Sequence, residues 1–456
     1  MRRQRTVLEG PATGPRNGRM PWETGGSAKV ADPASDDSTP ANARRRRTSR
    51  LSARVLASPA YRRLWVSGII YNSARWVEII TSGWIILEIT GSPFLLGLSG
   101  FSRVLPMLLL GAFFGVIADR YRRIDILVGV HVVGLVVGLL LTGAFLLGTP
   151  PVWAMYLLIV CLGCGSAADF SARSALIGEV QERALLGNAM SLESLSMNAA
   201  KISAAIGAGA LLSAGGAQLG YACLAGLHGC GLLWLLALRR RLPPPSERPH
   251  AAPLRIITSL YTGWTAALQI PVVRGVFIVT IIMNVLIFPY QQLIAIVASD
   301  ILLVGPFWMG VLAGADGIGA GLTSARLAFG PSARRPGLLF LGGSVACAAL
   351  LIVLALSPIF ALSLLVQLVL GVCSGLFGAH QSALVLSATP TDARARALGL
   401  IATAIGMTPL GMLLIGGLSS TTGAQTAIAA MGALGLLGLV VVVIANAPLR
   451  NARIGD

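Results

Sequence analysis

The stretch GVIADRYRR, residues 115–123, stops a long apolar run abruptly in one carboxylate and three guanidiniums. Asp119 falls at the C-terminal end of its own helical segment, where the macrodipole is negative and a carboxylate is unwelcome. Its partner must therefore sit on another element, either the positive N-terminus of a neighbouring helix or an arginine. Arg120, Arg122 and Arg123 suit both a helix end and an anionic lipid surface. The stretch reads as a cytoplasmic turn between two membrane-spanning helices.

Composition agrees with that reading. The chain has 456 residues, of which 55% are hydrophobic and only 12% charged, and its mean hydropathy of +0.77 excludes an ordinary soluble domain. The net charge of +17 is concentrated at the start, where residues 1–63 hold thirteen arginines and Lys29 against five acids. Residues 1–60 lack a periodic apolar face and read as a disordered basic cytoplasmic tail, in which Met20 is a second possible start. The run Arg44 to Arg47 suits anionic membrane lipid better than nucleic acid. No cleavable signal peptide is visible, because the first long apolar segment is a full span. All six cysteines lie inside apolar runs and read as small buried residues, not as disulfides, and Cys161 with Cys164 is weak evidence for a metal.

From Leu64 onward, apolar segments of spanning length follow one another, each needing about 20 residues to cross the hydrocarbon. They are expected near 64–87, 94–118, 124–147, 152–175, 187–213, 217–238, 273–297, 305–328, 337–357, 359–384, 397–419 and 423–446. The expected fold is an all-α membrane protein of twelve transmembrane helices. Its parts are a six-helix half at 61–240, a linker at 241–271, a second six-helix half at 272–448 and a tail at 449–456. Within the linker, Leu254 to Leu268 is amphipathic and suits the membrane surface. Arginines fall in every second loop, which puts both termini in the cytoplasm by the positive-inside rule.

The two halves repeat one another. IIYN at 69–72 recurs as IIMN at 281–284, PFLLG at 93–97 as PFWMG at 306–310, and SALI at 174–177 as SALV at 382–385. Such a repeat predicts a pseudo-two-fold axis along the membrane normal with a cavity between the halves.

Ionisable groups inside spans cost about 3 kcal/mol each by insertion scales and mark functional positions by default. In the first span Tyr71, Arg75, Glu78 and Ser82 share one face, with Asn72 beside it. Arg103 in the second span reaches the depth of Glu78, so the two can pair, with Arg75 competing for the carboxylate. The pair is either structural or part of a proton-binding cavity. Asp316, at the repeat position of Arg103, is isolated in the eighth span and must be protonated or paired across helices, and is the preferred proton-coupling group. Lys201, the only lysine after Lys29, is its possible partner. Glu193 lies at the depth of Asp169, and Arg173 can bridge the two or reach Asp119. Asn284, Gln291, Gln292, His380 and Gln381 complete the expected cavity edge. His131 and His228 read as isolated core histidines.

Gly115, Asp119, Arg120 and Arg123 match the Gly-x-x-x-Asp-Arg-x-x-Arg loop signature of the major facilitator superfamily, with Arg122 where a second glycine is usual. Residues 63–123, FSARSALI at 170–177 and SLESLSMNAAKISAAIGAG at 191–209 resemble the exporter branch of that superfamily, which includes siderophore and macrolide exporters and the transmembrane secretion effectors. Two departures are Ala204 and Ala205 in place of the exporter Gly-Pro, and Ser332 in place of the carboxylate in the second copy of the loop. The resemblance implies a proton-driven exporter of a small amphipathic molecule in the bacterial inner membrane, working as a monomer by rocking of its halves, with Gly115, Asp119, Arg120, Arg123 and Arg173 as a conformational latch. An importer or lipid flippase, or a non-transporting membrane partner or sensor, would share the architecture. Neither a P-loop nor a catalytic or metal-binding constellation is present in the sequence, so no cofactor, enzyme or nucleic-acid role is expected.

Overall fold

The computed structural model describes residues 54–182, 185–240, 268–329, 335–390 and 393–452. The expected basic tail through residue 53, Arg183, the linker through residue 267, Ser332, Arg334 and the Asp119 side chain lie outside the described residues. The described chain is helical, with no strand among its elements.

Helix starts and stops follow local chemistry. Helix α1 (Pro59–Thr90) opens after Ser58, whose hydroxyl accepts from the Tyr61 amide at 3.3 Å, and closes on Gly91 at φ 57. Proline in the first turn needs no amide partner, and glycine enters the left-handed region without strain. The same punctuation opens α2 (Pro93–Arg120) after Ser92. Then come α3 (Arg123–Leu147), α4 (Val152–Val180) and α5 (Leu186–Arg239). Helix α5 is broken at Gly215 and Gly216, the latter at φ 63, so it turns back on itself where two separate spans were expected.

After residue 268, α6 begins at Pro271–Ile282 and runs on through a π turn (Met283–Ile287), a 3₁₀ stretch (Phe288–Leu293) and a second π turn (Val297–Ile301). Pro289 cannot supply an α-helical amide, which is why the expected regular span is irregular at mid-depth. Helices α7 (Pro306–Phe329), α8 (Pro336–Leu356) and α9 (Phe360–Ala388) follow. The expected span at 397–419 is two helices, α10 (Arg394–Ile405) and α11 (Thr408–Thr422), parted at Gly406 and Met407 before Pro409. Helix α12 (Ala424–Ala445) and the short α13 (Ala447–Arg450) complete the fold.

Nine helices among the described residues are long and apolar enough to cross a membrane. With leucines and valines such as Leu139, Leu147, Leu365, Leu437 and Val441 on the surface, the chain is a multi-pass membrane protein that turns apolar side chains outward.

Two seams join helices before residue 240 to helices after 268. Along one, α2 meets α11: a Cβ on Gly97 would lie 2.6 Å from the Met412 carbonyl oxygen and 2.8 Å from Gly416 Cα. Along the other, α5 meets α7, where Gly209 abuts Pro306 and Gly310 abuts the Ala205 carbonyl. Small residues let backbones touch here, the usual device for packing helices in lipid. Among the described residues, every such glycine approach across the seams lies between the end bearing the turns at 91–92 and 302–305 and the level of Leu108 and Lys201. The opposite end carries the cations Arg120, Arg122, Arg239, Arg335 and Arg394. The glycine contacts of the seams therefore draw the helices together toward one end of the bundle, the sealed end.

Candidate functional site

A cavity of about 1070 Å³, open solvent included, lies between α1, α2, α5, α6, α7 and α11 where the seams stop. Its charged lining is Arg75, Arg103, Lys201 and Asp316, set among Trp76, Phe288, Tyr290, Met309 and Met412.

Glu78 stands behind Arg103 and is held by it on both oxygens: Nε donates to Oε2 at 2.8 Å and Nη2 to Oε1 at 2.7 Å. Ser82 donates to the same carboxylate at 3.0 Å and also meets the Tyr221 hydroxyl at 3.1 Å. Both charges are buried, so α1 and α2 are clamped by a bidentate pair whose carboxylate takes a third hydrogen bond from Ser82. Arg75, expected to compete for Glu78, does not reach it. Among the described residues Arg75 makes no ion pair, and it faces the open cavity.

Lys201 and Asp316 meet directly, joining α5 to α7 at the inner limit of the second seam. The Lys201 ammonium also lies 4.8 Å from the centroid of the Trp76 ring, a cation–π contact to α1. This pair bridges helices from the two sides of the seam, whereas the Glu78–Arg103 pair joins neighbours on one side.

Other expected cavity residues lie elsewhere. Arg173 grips Asp169 at 2.9 and 2.6 Å and donates to the Leu64 carbonyl and Ser67, with Glu193 at 4.0 Å. That cluster ties α4 to α1 and α5 nearer the cation-rich end, so Glu193 does not line the cavity. Asn72 and Asn284 each turn back to donate to the carbonyl four residues earlier, at Gly68 and Thr280. His380 bonds the Leu376 carbonyl and Gln381 the Thr280 hydroxyl, both buried away from the cavity. For these four, the side of the helix they occupy faces neighbouring helices and not the cavity. Gln291 and Gln292 do line the cavity, and Gln292 crosses the first seam to donate to Leu96 O and Ser99, each at 3.0 Å.

Of the expected latch, Gly115 faces open space, Arg120 is exposed, and Arg123 donates to the Ala175 carbonyl at 2.9 Å and pairs with Glu179 at 2.8 Å.

Sequence reasoning missed several groups. His131 and His228 are not isolated: their Nδ1 atoms are 3.2 Å apart, edge-on to Tyr71, and His131 Nε2 is buried without a partner. Counting each from the cation-bearing end of its helix gives similar depths, a signal that could have paired them. Tyr290, which donates to Gln367 at 2.7 Å, and Thr408, which donates to Asn284 at 2.9 Å, were also not foreseen.

A helical bundle that buries ion pairs beside a cavity lined by helices from both sides of its seams, and that turns leucines outward, has the build of a membrane carrier. The family described as Transmembrane secretion effector matches residues 51–454, so the chain belongs to this exporter-type branch of the major facilitator superfamily. The enterobactin exporter EntS of Citrobacter koseri is 30% identical over 322 residues, covering 67% of this chain and 72% of the relative. Among solved structures, a bacterial homologue of the lysosomal transporter Spinster, inward-facing and unoccupied, aligns with TM-score 0.60 at 15% identity, covering 86% of this chain and 95% of that one. A POT family transporter in complex with a thioalcohol-conjugated peptide aligns at 0.69 and 12% identity, covering 85% and 96% respectively. At these identities the structures speak for the fold alone.

Proposed function

We propose that this transporter moves a small amphipathic molecule out across the bacterial cytoplasmic membrane in exchange for protons, by alternating access. Its frame is twelve passes in two six-helix halves, 61–240 and 272–448, with both termini cytoplasmic. The nine apolar helices become twelve when three features are counted. Helix α1 carries Arg75, Glu78 and Glu88 but is 32 residues long, α7 carries Asp316 and Arg326, and α5 folds back at Gly216. The cation-bearing end is assigned to the cytoplasm by the positive-inside rule, so the sealed end is external and the cavity opens inward. Kinship with an enterobactin exporter supports the outward direction.

The observation that carries the reading is the Lys201–Asp316 pair, which spans α5 and α7 in the cavity wall. A proton delivered to Asp316 removes the charge that holds Lys201, and the seam loses the contact at its inner limit. The halves can then part on the outer side. Enterobactin, the compound named for the Citrobacter koseri relative, is the first cargo to test in inverted membrane vesicles. Uptake driven by an imposed pH gradient is expected in the wild type and lost in Asp316→Asn, with the variant still folded in the membrane. Uptake by that variant with an unchanged pH dependence contradicts Asp316 as the coupling group.

A further inference from the structure

The charges around the cavity do not balance. Arg103 is matched by Glu78 and Lys201 by Asp316, which leaves Arg75 as an exposed guanidinium with no carboxylate against it among the described residues. Water can solvate that charge while the cavity is open. Alternating access requires the cavity to close around its cargo, and a lone cation stripped of water costs several kcal/mol unless a counter-charge accompanies it. Among the described residues the wall offers no spare counter-charge: Asp316 is engaged by Lys201, and Glu78, which lines a smaller pocket together with Arg75, is engaged by Arg103. A second donor is also left over beside it, since the indole N–H of Trp76 is buried without an acceptor.

We infer that Arg75 is the cargo's charge-recognition residue and that the cargo is an amphipathic anion, a carboxylate, sulfonate or phenolate whose apolar part rests on Trp76, Phe288, Tyr290, Met309 and Met412. The inference rests on the carrier reading and adds to it the charge class of the solute. While Asp316 is ionised, an anion on Arg75 makes the filled cavity electrically neutral, so the loaded carrier can close where a cation-loaded one would confine two unpaired positive charges. Arginine suits the role because its planar fork pairs with a carboxylate through two parallel bonds.

The test uses two probes with one fluorophore and opposite charge, dansylglycine and dansylcadaverine, titrated onto the full chain in lipid nanodiscs, with Arg75→Gln as the reference for partition into lipid. Wild type is expected to bind dansylglycine at least about tenfold more tightly than dansylcadaverine. Arg75→Gln loses that preference, and Arg75→Lys keeps most of it. Preference for the cationic probe, equal affinity for both, no binding above the Arg75→Gln reference, or an undiminished preference in Arg75→Gln overturns the inference. Selective binding of the anion by a protein that moves no solute across proteoliposomes would instead contradict the transport reading and leave the anion site standing.

Discussion

Two buried ion pairs meet the same cavity and differ in what they join. Glu78–Arg103 links α1 to α2, consecutive helices on one side of the seams, with three hydrogen bonds on the carboxylate and both side chains buried. Lys201–Asp316 links α5 to α7 across a seam, through one ammonium that turns its other face to Trp76. A planar bidentate clamp fixes geometry, while a compact ammonium on a flexible stem can let go. The first suits helices that travel together and the second helices that part, so burial of charge alone does not tell a structural group from a working one.

The comparison breaks most visibly through stability. Glu78→Leu strands Arg103 in the bundle and should cost about 3–5 kcal/mol, read as a fall in the thermal unfolding midpoint and in the yield of monodisperse protein. Adding Arg103→Met should recover most of the loss, because a well-packed apolar replacement for a buried pair is often neutral. If Glu78→Leu unfolds no earlier than Asp316→Asn, the two pairs do not differ in the way described here.

A smaller effect sharpens the contrast at the other seam. A side chain on Gly97 would press into the Met412 carbonyl and Gly416, so Gly97→Val should cost about 1–3 kcal/mol in the sealed state and spread α2 from α11. A cysteine placed at Ala208, fully buried near the sealed end, should then react faster with a membrane-impermeant maleimide. Unchanged labelling would mean that the glycine contacts do not hold that end closed.

Much of the fold was legible because lipid allows few solutions. Apolar length places α1, α2, α3 and α4 within a few residues of their ends, and the depth match of Glu78 with Arg103 yields a contact the structure contains. What was not legible depends on rotation about the helix axis and on partners far away in sequence. Asn72, Asn284 and His380, expected at the cavity edge, bond the backbone of their own helix, which sequence spacing cannot foresee. The meeting of His131 with His228 and the reach of Gln292 across to Ser99 are tertiary facts of the same kind. The irregular stretch around Pro289 had a sequence cue in the proline itself, while the packing of its 3₁₀ part on α2 and α11 is a tertiary contact that the sequence does not show.

The most direct test of whether Lys201–Asp316 governs the sealed end is a spin-label distance across it, with labels at Leu147 and Leu303, both highly exposed at that end, on an otherwise cysteine-free chain. Wild type should give a single short distance, and Asp316→Asn should add a second, longer population. The same single distance in both proteins would contradict the account.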